Sequence, residues 1–326
     1  MTILVTGVAG FIGMHVAETL LAGGRKVIGI DNLNPYYDVK LKKDRLARLN
    51  LYSNFTFYEL DISDRAALYA ALGDHSKISL IVHLAAQAGV RHSLTRPFDY
   101  TAANITGFLT ILELCRQLEN LKHVVYASSS SVYGANTKMP FSVSQTTDSP
   151  LSLYAATKKA NELMAYSYAH LYDIPMTGLR FFTVYGPWGR PDMAYWRFTK
   201  QIMEGEPVHI YNHGDMKRDF TYIDDVVKGI LEVLVKPPET GDGKTPHRVY
   251  NIGNNRAEKL LDFVEIIEET LGVEAKRELL PMQPGDIKET YADIDPIHRD
   301  VGYEPATSLE VGLPKFVKWY QEYCKD

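Results

Sequence analysis

Short apolar runs alternate along the chain with longer segments in which apolar residues recur every three or four positions. Ile3-Leu4-Val5-Thr6, Lys26-Val27-Ile28-Gly29-Ile30, Phe55 to Leu60, Leu80 to Leu84, His123 to Ala127 and Met176 to Phe182 are short, rich in β-branched and aromatic residues, and nearly continuous in apolar character. Such runs predict strands buried on both faces. Between them, Met14 to Ala22, Lys40 to Asn50, Phe98 to Asn120 and Leu151 to Tyr172 predict helices. This alternation predicts an α/β fold with a doubly wound parallel sheet, whose ligands lie at the C-terminal ends of the strands. After Phe182 the alternation fades into short strands, a turn-rich stretch from Asn212 to Asp219, a helix entered at Tyr222-Ile223 with an Asp as its cap, a surface loop from Pro237 to Thr245, and an amphipathic helix from Leu260 to Leu271. The expected division is a nucleotide-binding domain over residues 1–180. A smaller mixed α/β C-terminal substrate domain follows over 181–326, some of whose segments return to the first.

The first strand runs into Gly7-Val8-Ala9-Gly10-Phe11-Ile12-Gly13, a helix follows, and the second strand ends at Asp31, eighteen residues past the last glycine. Glycines permit a tight turn and close approach of a pyrophosphate, and the helix N-terminus offers free N–H groups to it. A carboxylate at Asp31 can accept from a ribose diol and repels a 2′-phosphate, which favours NAD over NADP. The glycines are spaced three and three rather than two and three. Asp61 closes the third strand, with Asp64 placed to cap the next helix. The fourth strand empties into Leu84-Ala85-Ala86-Gln87, small residues against which a cofactor can lie. The fifth empties into Ser128-Ser129-Ser130-Ser131.

Tyr154 and Lys158 are four residues apart in a segment free of interior Gly and Pro, so they share one helical face. A tyrosine serving as a base near pH 7 needs its pKa lowered by about 3 units, about 4 kcal/mol. A fixed ammonium one turn away supplies part of this, and a cationic nicotinamide can supply more. Other features read as structural. The basic stretch Lys40 to Asn50 reads as a solvated helix face, and His83 inside an apolar strand reads as a core histidine. Gly243-Lys244-Thr245 lacks the earlier glycine of a phosphate loop, since Pro238 stands there.

Composition narrows the class. The 326 residues carry a net charge of −5, which favours neither nucleic acid nor an anionic membrane surface. Two cysteines far apart, Cys115 and Cys324, predict neither a disulfide framework nor a metal cluster. No apolar run is long enough to span a bilayer. Met1 leads straight into a strand and leaves no room for a leader, so the expected location is the cytoplasm.

The stretches GVAGFIG, DNLNPYYD, HLAAQAGVRHS, SSSSVYG, YAATK, RFFTVYGPWGRPDMA, RDFTYIDD and QPGD together resemble the extended short-chain dehydrogenase/reductase (SDR) superfamily, which is Rossmann-like. Within it the chain is most similar to nucleotide-sugar 4-epimerases, above all those acting on UDP-glucuronate, over essentially its whole length. The resemblance implies that Tyr154 is the base, Lys158 its electrostatic partner and ribose ligand, and Ser129 the third member of the triad. It implies that Gly7, Gly10, Phe11, Ile12 and Gly13 hold the pyrophosphate of NAD, that Asp31 and Asn32 face the ribose, and that Asp61 and Ile62 face the adenine. Leu84, Ala85, Ala86, Gln87, Ser128 and Phe181 would line the cofactor. Thr183, Arg190, Tyr211, Arg218 and Asp286 match positions that touch the UDP-sugar. It further implies a homodimer formed through a four-helix bundle.

Relatives that dehydrate or decarboxylate the sugar carry an acidic side chain just before the Val-Tyr-Gly, where this chain has Ser130 and Ser131. Neutral hydroxyls can donate to a hexuronate carboxylate and cannot act as that base. With cations at Arg91 and Arg190, they favour an epimerase that keeps the UDP-hexuronic acid intact. The alternatives are an epimerase of UDP-glucose or UDP-N-acetylglucosamine, and a non-catalytic NAD-binding regulator, which would typically lack the Tyr/Lys pair.

Overall fold

In a computed structural model, which describes residues 1–72, 77–241, 243–282 and 288–325, seven strands form one all-parallel sheet. The first six are β1 (Thr2–Thr6), β2 (Lys26–Asp31), β3 (Phe55–Glu59), β4 (Ile78–His83), β5 (His123–Ser129) and β6 (Met176–Phe181). They lie in the order 3-2-1-4-5-6, and the late strand His247–Ile252 adds beside β6. The apolar runs form strands buried on both faces in the middle of the sheet, whereas the edge strand β3, expected to be buried like them, is only half covered because no strand lies beyond it. Every residue of β4 is buried. Ile3 and Val5 enter one core with the helix Phe11–Ala22, while Leu4 enters the other with Ala165 and Ala169 of the helix Leu153–Tyr172.

Strand order reverses between β1 and β4, which leaves a crevice at their C-terminal ends, the topological switch point of such sheets. The turn after β1 and the segment after β4 meet there. A Cβ on Gly7, whose φ is +72°, would fall 2.7 Å from the backbone nitrogen of Ala85. Only glycine fits that approach.

Beyond β6 the chain builds short sheets. Thr183–Tyr185 pairs with Phe220–Tyr222, and Lys217–Arg218 lies between Glu258–Lys259 and Glu289–Thr290. Asp219 ties these pieces together. Its buried carboxylate accepts from the backbone N–H groups of Asn254 (2.6 Å), Asn255 (3.0 Å) and Ala292 (3.0 Å) and from the Thr221 hydroxyl (3.1 Å). No helix among the described residues is long and apolar enough to cross a membrane.

Three local expectations differ from the structure. The helix at Ile223–Leu234 has no side-chain cap at Tyr222; Asp225 instead accepts from the N–H groups of Ala306 and Thr307. The stretch from Phe98 is not one regular helix to Asn120. It passes through a wider π-helical segment, Thr101–Gly107, and its last helix ends at Cys115. There Asn104 is claimed from two sides: its side chain bonds Gln87 and Thr157, and its carbonyl accepts from Asn161. Third, the basic helix Val39–Leu49 is not wholly solvated. Arg45 is fully buried and donates to the carbonyls of Ala9, Trp188 and Gly189 and to the Tyr37 hydroxyl, because five guanidinium donors below the surface demand acceptors.

Candidate active site

The crevice is a cavity of about 410 Å³ lined from the glycine turn at one end to Tyr154, Lys158 and Arg190 at the other. The pyrophosphate end follows from the turn itself. Gly10 caps the helix Phe11–Ala22 with no side-chain hydrogen bond, and no acidic residue stands in the first turn, so its N–H groups are open to an anion. A Cβ on Gly13 would lie 2.0 Å from the Gly7 carbonyl oxygen and one on Gly10 would lie 2.9 Å from it. The backbone has folded into a cradle that side chains would fill, which fits a dinucleotide phosphate.

At the adenosine end, Asp31 stands where β2 stops. Its carboxylate accepts from Ala9 N–H at 3.1 Å and Leu33 N–H at 2.9 Å, and Lys42 lies 3.9 Å away. Asn32 donates to Asp61 at 2.8 Å, and Asp61 also accepts from the backbone and hydroxyl of Ser63. Burial works to raise the Asp61 pKa; the Ser63 and Asn32 hydrogen bonds outweigh it and hold the carboxyl below its ordinary value. Ile62 is buried on the cavity wall, where Leu84, Ala85, Ala86, Gln87, Ser128 and Phe181 also lie. The Gln87 segment is pinned by Asn104, which also reaches Thr157 on the Tyr154 helix.

That helix is capped by Ser152, whose hydroxyl accepts from Ala155 N–H at 3.1 Å. Tyr154 and Lys158 face the cavity together. Burial raises the Tyr154 pKa, and the Ser129 hydrogen bond and the Arg190 charge oppose it. The countering groups are therefore Ser129 and Arg190 rather than the Lys158 ammonium expected from the sequence. The Lys158 ammonium donates to the Ala127 carbonyl at 3.0 Å, and burial lowers its own pKa to about 8. Ser129 is fixed because it caps the short turn Ser130–Tyr133, its hydroxyl oxygen accepting from Ser131 N–H at 3.2 Å.

The other residues expected on the sugar side are placed unevenly. Arg190 lines the cavity. Ser130 and Ser131 stand in the adjoining turn, and Thr183 on the strand after β6. Arg91 and Tyr211 meet each other, guanidinium 6.0 Å from the ring centre, away from the cavity wall. Arg218 donates to the carbonyls of Lys217 and Lys288. Asp286 lies outside the described residues. Sequence reasoning missed Asn34, Tyr36 and Lys42, which also line the cavity. A signal existed: Asn32 and Asn34 each accept from the N–H two residues on, a run of Asx turns written in DNLNPYYD.

Residues 3–253 match the family described as NAD dependent epimerase/dehydratase. A Staphylococcus aureus protein named CapI is 51% identical over the full length of both chains. UDP-glucuronate 4-epimerase 4 of Arabidopsis thaliana is 49% identical, over 99% of this chain and 76% of its own length. The crystal structure of a Bacillus cereus UDP-glucuronic acid 4-epimerase, in complex with UDP-glucuronic acid and NAD, superposes with a TM-score of 0.90 at 36% identity, covering 99% of this chain and all of that one.

Proposed function

The chain belongs to the NAD dependent epimerase/dehydratase family, and we propose that it is an NAD-dependent isomerase that interconverts UDP-glucuronate and UDP-galacturonate at C4 without decarboxylation. One observation carries this: the glycine cradle, Tyr154 with Ser129, and the Arg190 charge share one cavity. The names of the Arabidopsis and Bacillus relatives support the acidic substrate.

Bound NAD supplies the acceptor, and later the donor, of the C4 hydride. The chain supplies the rest. Tyr154 takes the proton of the sugar 4-hydroxyl, with Ser129 holding the phenol and Arg190 favouring its ionised form. Lys158 keeps a positive charge against the cofactor ribose. The keto sugar turns over in the cleft, and Tyr154 returns the proton. Arg190, with the Ser130 and Ser131 hydroxyls, holds the hexuronate carboxylate so that the C5–carboxyl bond stays out of line with the C4 carbonyl. Thr183, Tyr211, Arg218 and Asp286, with Arg91 beside Tyr211, belong to the UDP-sugar side. Residues 181–326 form that side, apart from the strand His247–Ile252 within the main sheet.

We also propose a homodimer. Phe98 is 83% exposed and Leu163 58%, and Leu109, Tyr166 and Leu171 are exposed with them on the two stretches expected to form the bundle, the one that starts at Phe98 and the helix Leu153–Tyr172.

Incubation with UDP-glucuronate without added NAD, with products resolved by NMR, tests the activity. UDP-galacturonate is the expected product. Release of CO₂ with a UDP-pentose, or turnover of UDP-glucose alone, overturns the reading. Tyr154→Phe should keep NAD and abolish turnover.

A further inference from the structure

Arg190 is three-quarters buried, and its charge is met by Asp192, two residues on. Its Nε donates to Asp192 Oδ1 at 3.0 Å and its Nη2 to Oδ2 at 2.6 Å. The hydroxyl of Tyr36, from the Asx-turn segment after β2, donates to the same Oδ2 at 3.2 Å. Tyr36 is itself held. Its ring lies against His92 with centroids 4.6 Å apart, and a Cβ on Gly89 would come within 2.7 Å of its hydroxyl. The backbone of Arg190 is fixed too, its N–H donating to the Tyr195 hydroxyl at 2.9 Å.

We infer that Asp192, steadied by Tyr36, is a positioning residue that sets selectivity for acidic over neutral UDP-sugars by fixing the guanidinium of Arg190 side-on. The inference rests on the reading above, with a hexuronate as substrate and Arg190 as its anchor. An arginine has five N–H donors in a planar fork, and the side-on bonds to Asp192 engage the Nε and Nη2 groups. The donors left over are what a second carboxylate can take. Two-point recognition of a carboxylate needs the fork held in one plane, and a free arginine loses rotamer freedom in reaching it. Asp192 imposes that order before the sugar arrives. The carboxylate also keeps a buried cation paired when the site is empty. Tyr36 adds a link from the cofactor side of the cleft to the sugar side.

The test is calorimetric binding of UDP-glucuronate and UDP-glucose to NAD-loaded enzyme in a Tyr154→Phe background, where no turnover intervenes. Asp192→Ala should weaken UDP-glucuronate about tenfold and UDP-glucose less than about twofold, the scale of a disordered charge-assisted contact. Asp192→Asn, which keeps one acceptor, and Tyr36→Phe should each lose about threefold for the acid alone. Adding Asp192→Ala to Arg190→Ala should cost nothing further, since the two act through one contact. Equal losses for both sugars, an unchanged ratio, or tighter binding of the acid overturns the inference; the last outcome would make Asp192 a competitor for the fork. A ratio insensitive to Arg190→Ala sinks the anchor reading itself, whereas a ratio sensitive to Arg190 and not to Asp192 sinks only this inference. NAD content and melting temperature report folding, and the isosteric Asp192→Asn keeps the test open if the alanine variant does not fold.

Discussion

Arg180 donates its Nε to Glu162 Oε1 and its Nη2 to Glu162 Oε2, each at 2.8 Å, inside the core. Glu162 lies eight residues beyond Tyr154 on the same helix and also accepts from the Ser128 hydroxyl at 2.7 Å. The pair therefore locks the catalytic helix to β6 and to the end of β5. Burial alone would raise the Glu162 pKa; the hydrogen bonds and charge of Arg180 overcome it and leave it lowered. Its contribution to stability is thus present above the ordinary glutamate value and is lost as pH falls through the lower, folded one. Glu162→Ala should destabilise the protein by about 4 kcal/mol, because it strands a buried guanidinium. Replacing both residues by apolar ones of similar size should recover most of that loss. Denaturant unfolding measures both, and a single-site loss under about 1 kcal/mol would show that the pair holds nothing.

Lys158 gives a pH dependence with a definite sign. Burial brings its pKa down to about 8. Between there and the ordinary lysine value the unfolded chain holds a proton that the folded chain has released, so folding stability rises with pH across that window. Cofactor binding should run the other way if, as proposed, the ammonium faces the ribose. NAD affinity of the cofactor-free protein should fall above about pH 8, approaching tenfold per unit. Lys158→Met should bind NAD weakly with no such step, yet be as stable as the parent or up to about 2 kcal/mol more so at pH 7, because a desolvated charge is gone. Calorimetry and thermal unfolding over pH 6 to 10 decide it.

The sheet and the cofactor end of the cleft were legible because local rules fix them. Apolar runs must be strands when both faces are covered, and the glycines at 7, 10 and 13 are demanded by backbone approaches that no side chain survives. Asp31 and the alanine segment follow from strand ends. What escaped depends on distant partners. Lys42 and Arg45 look like any basic helix face until the carbonyls of Trp188 and Gly189 are seen to need donors. Asp225 looks like a cap, but its acceptors are used by Ala306 and Thr307, 81 and 82 residues on. Asp219 ends a stretch that reads only as turn-rich, yet its carboxylate gathers the backbone of Asn254, Asn255 and Ala292.

Asp31 and Lys42 make cofactor choice testable. The carboxylate meets the glycine turn and the segment after β2, and an ammonium waits 3.9 Å from it. With Asp31 in place a 2′-phosphate is repelled. Asp31→Ser removes that repulsion and leaves Lys42 to pair with the phosphate. It should weaken NAD about tenfold and raise the NADP-to-NAD affinity ratio by about a hundredfold, close to the 2–3 kcal/mol of one charge contact exchanged. Adding Lys42→Met should return the ratio most of the way. A ratio unmoved by Asp31→Ser would mean that the carboxylate serves only the backbone it already bonds.

The last prediction concerns the exposed face of the Tyr154 helix. Leu163, Tyr166 and Leu171 are exposed there, and Phe98 and Leu109 are exposed on the neighbouring helical stretch. Scattered exposed leucines are ordinary, but a group of this size on two neighbouring helical stretches marks an interaction surface. In the proposed homodimer a second copy would cover it by pairing the same helices into a four-helix bundle. Leu163→Asp should then turn the dimer into a monomer, since it places a charge on each side of the two-fold interface. Alone, a charge at an exposed helix position costs the fold less than about 0.5 kcal/mol. Light scattering after size exclusion reads the mass. Lys158 and Glu162 stand on the buried side of the same helix, so the monomer should also melt earlier and turn over more slowly while keeping the NAD site. A parent protein that is already monomeric at micromolar concentration would remove the bundle from the picture.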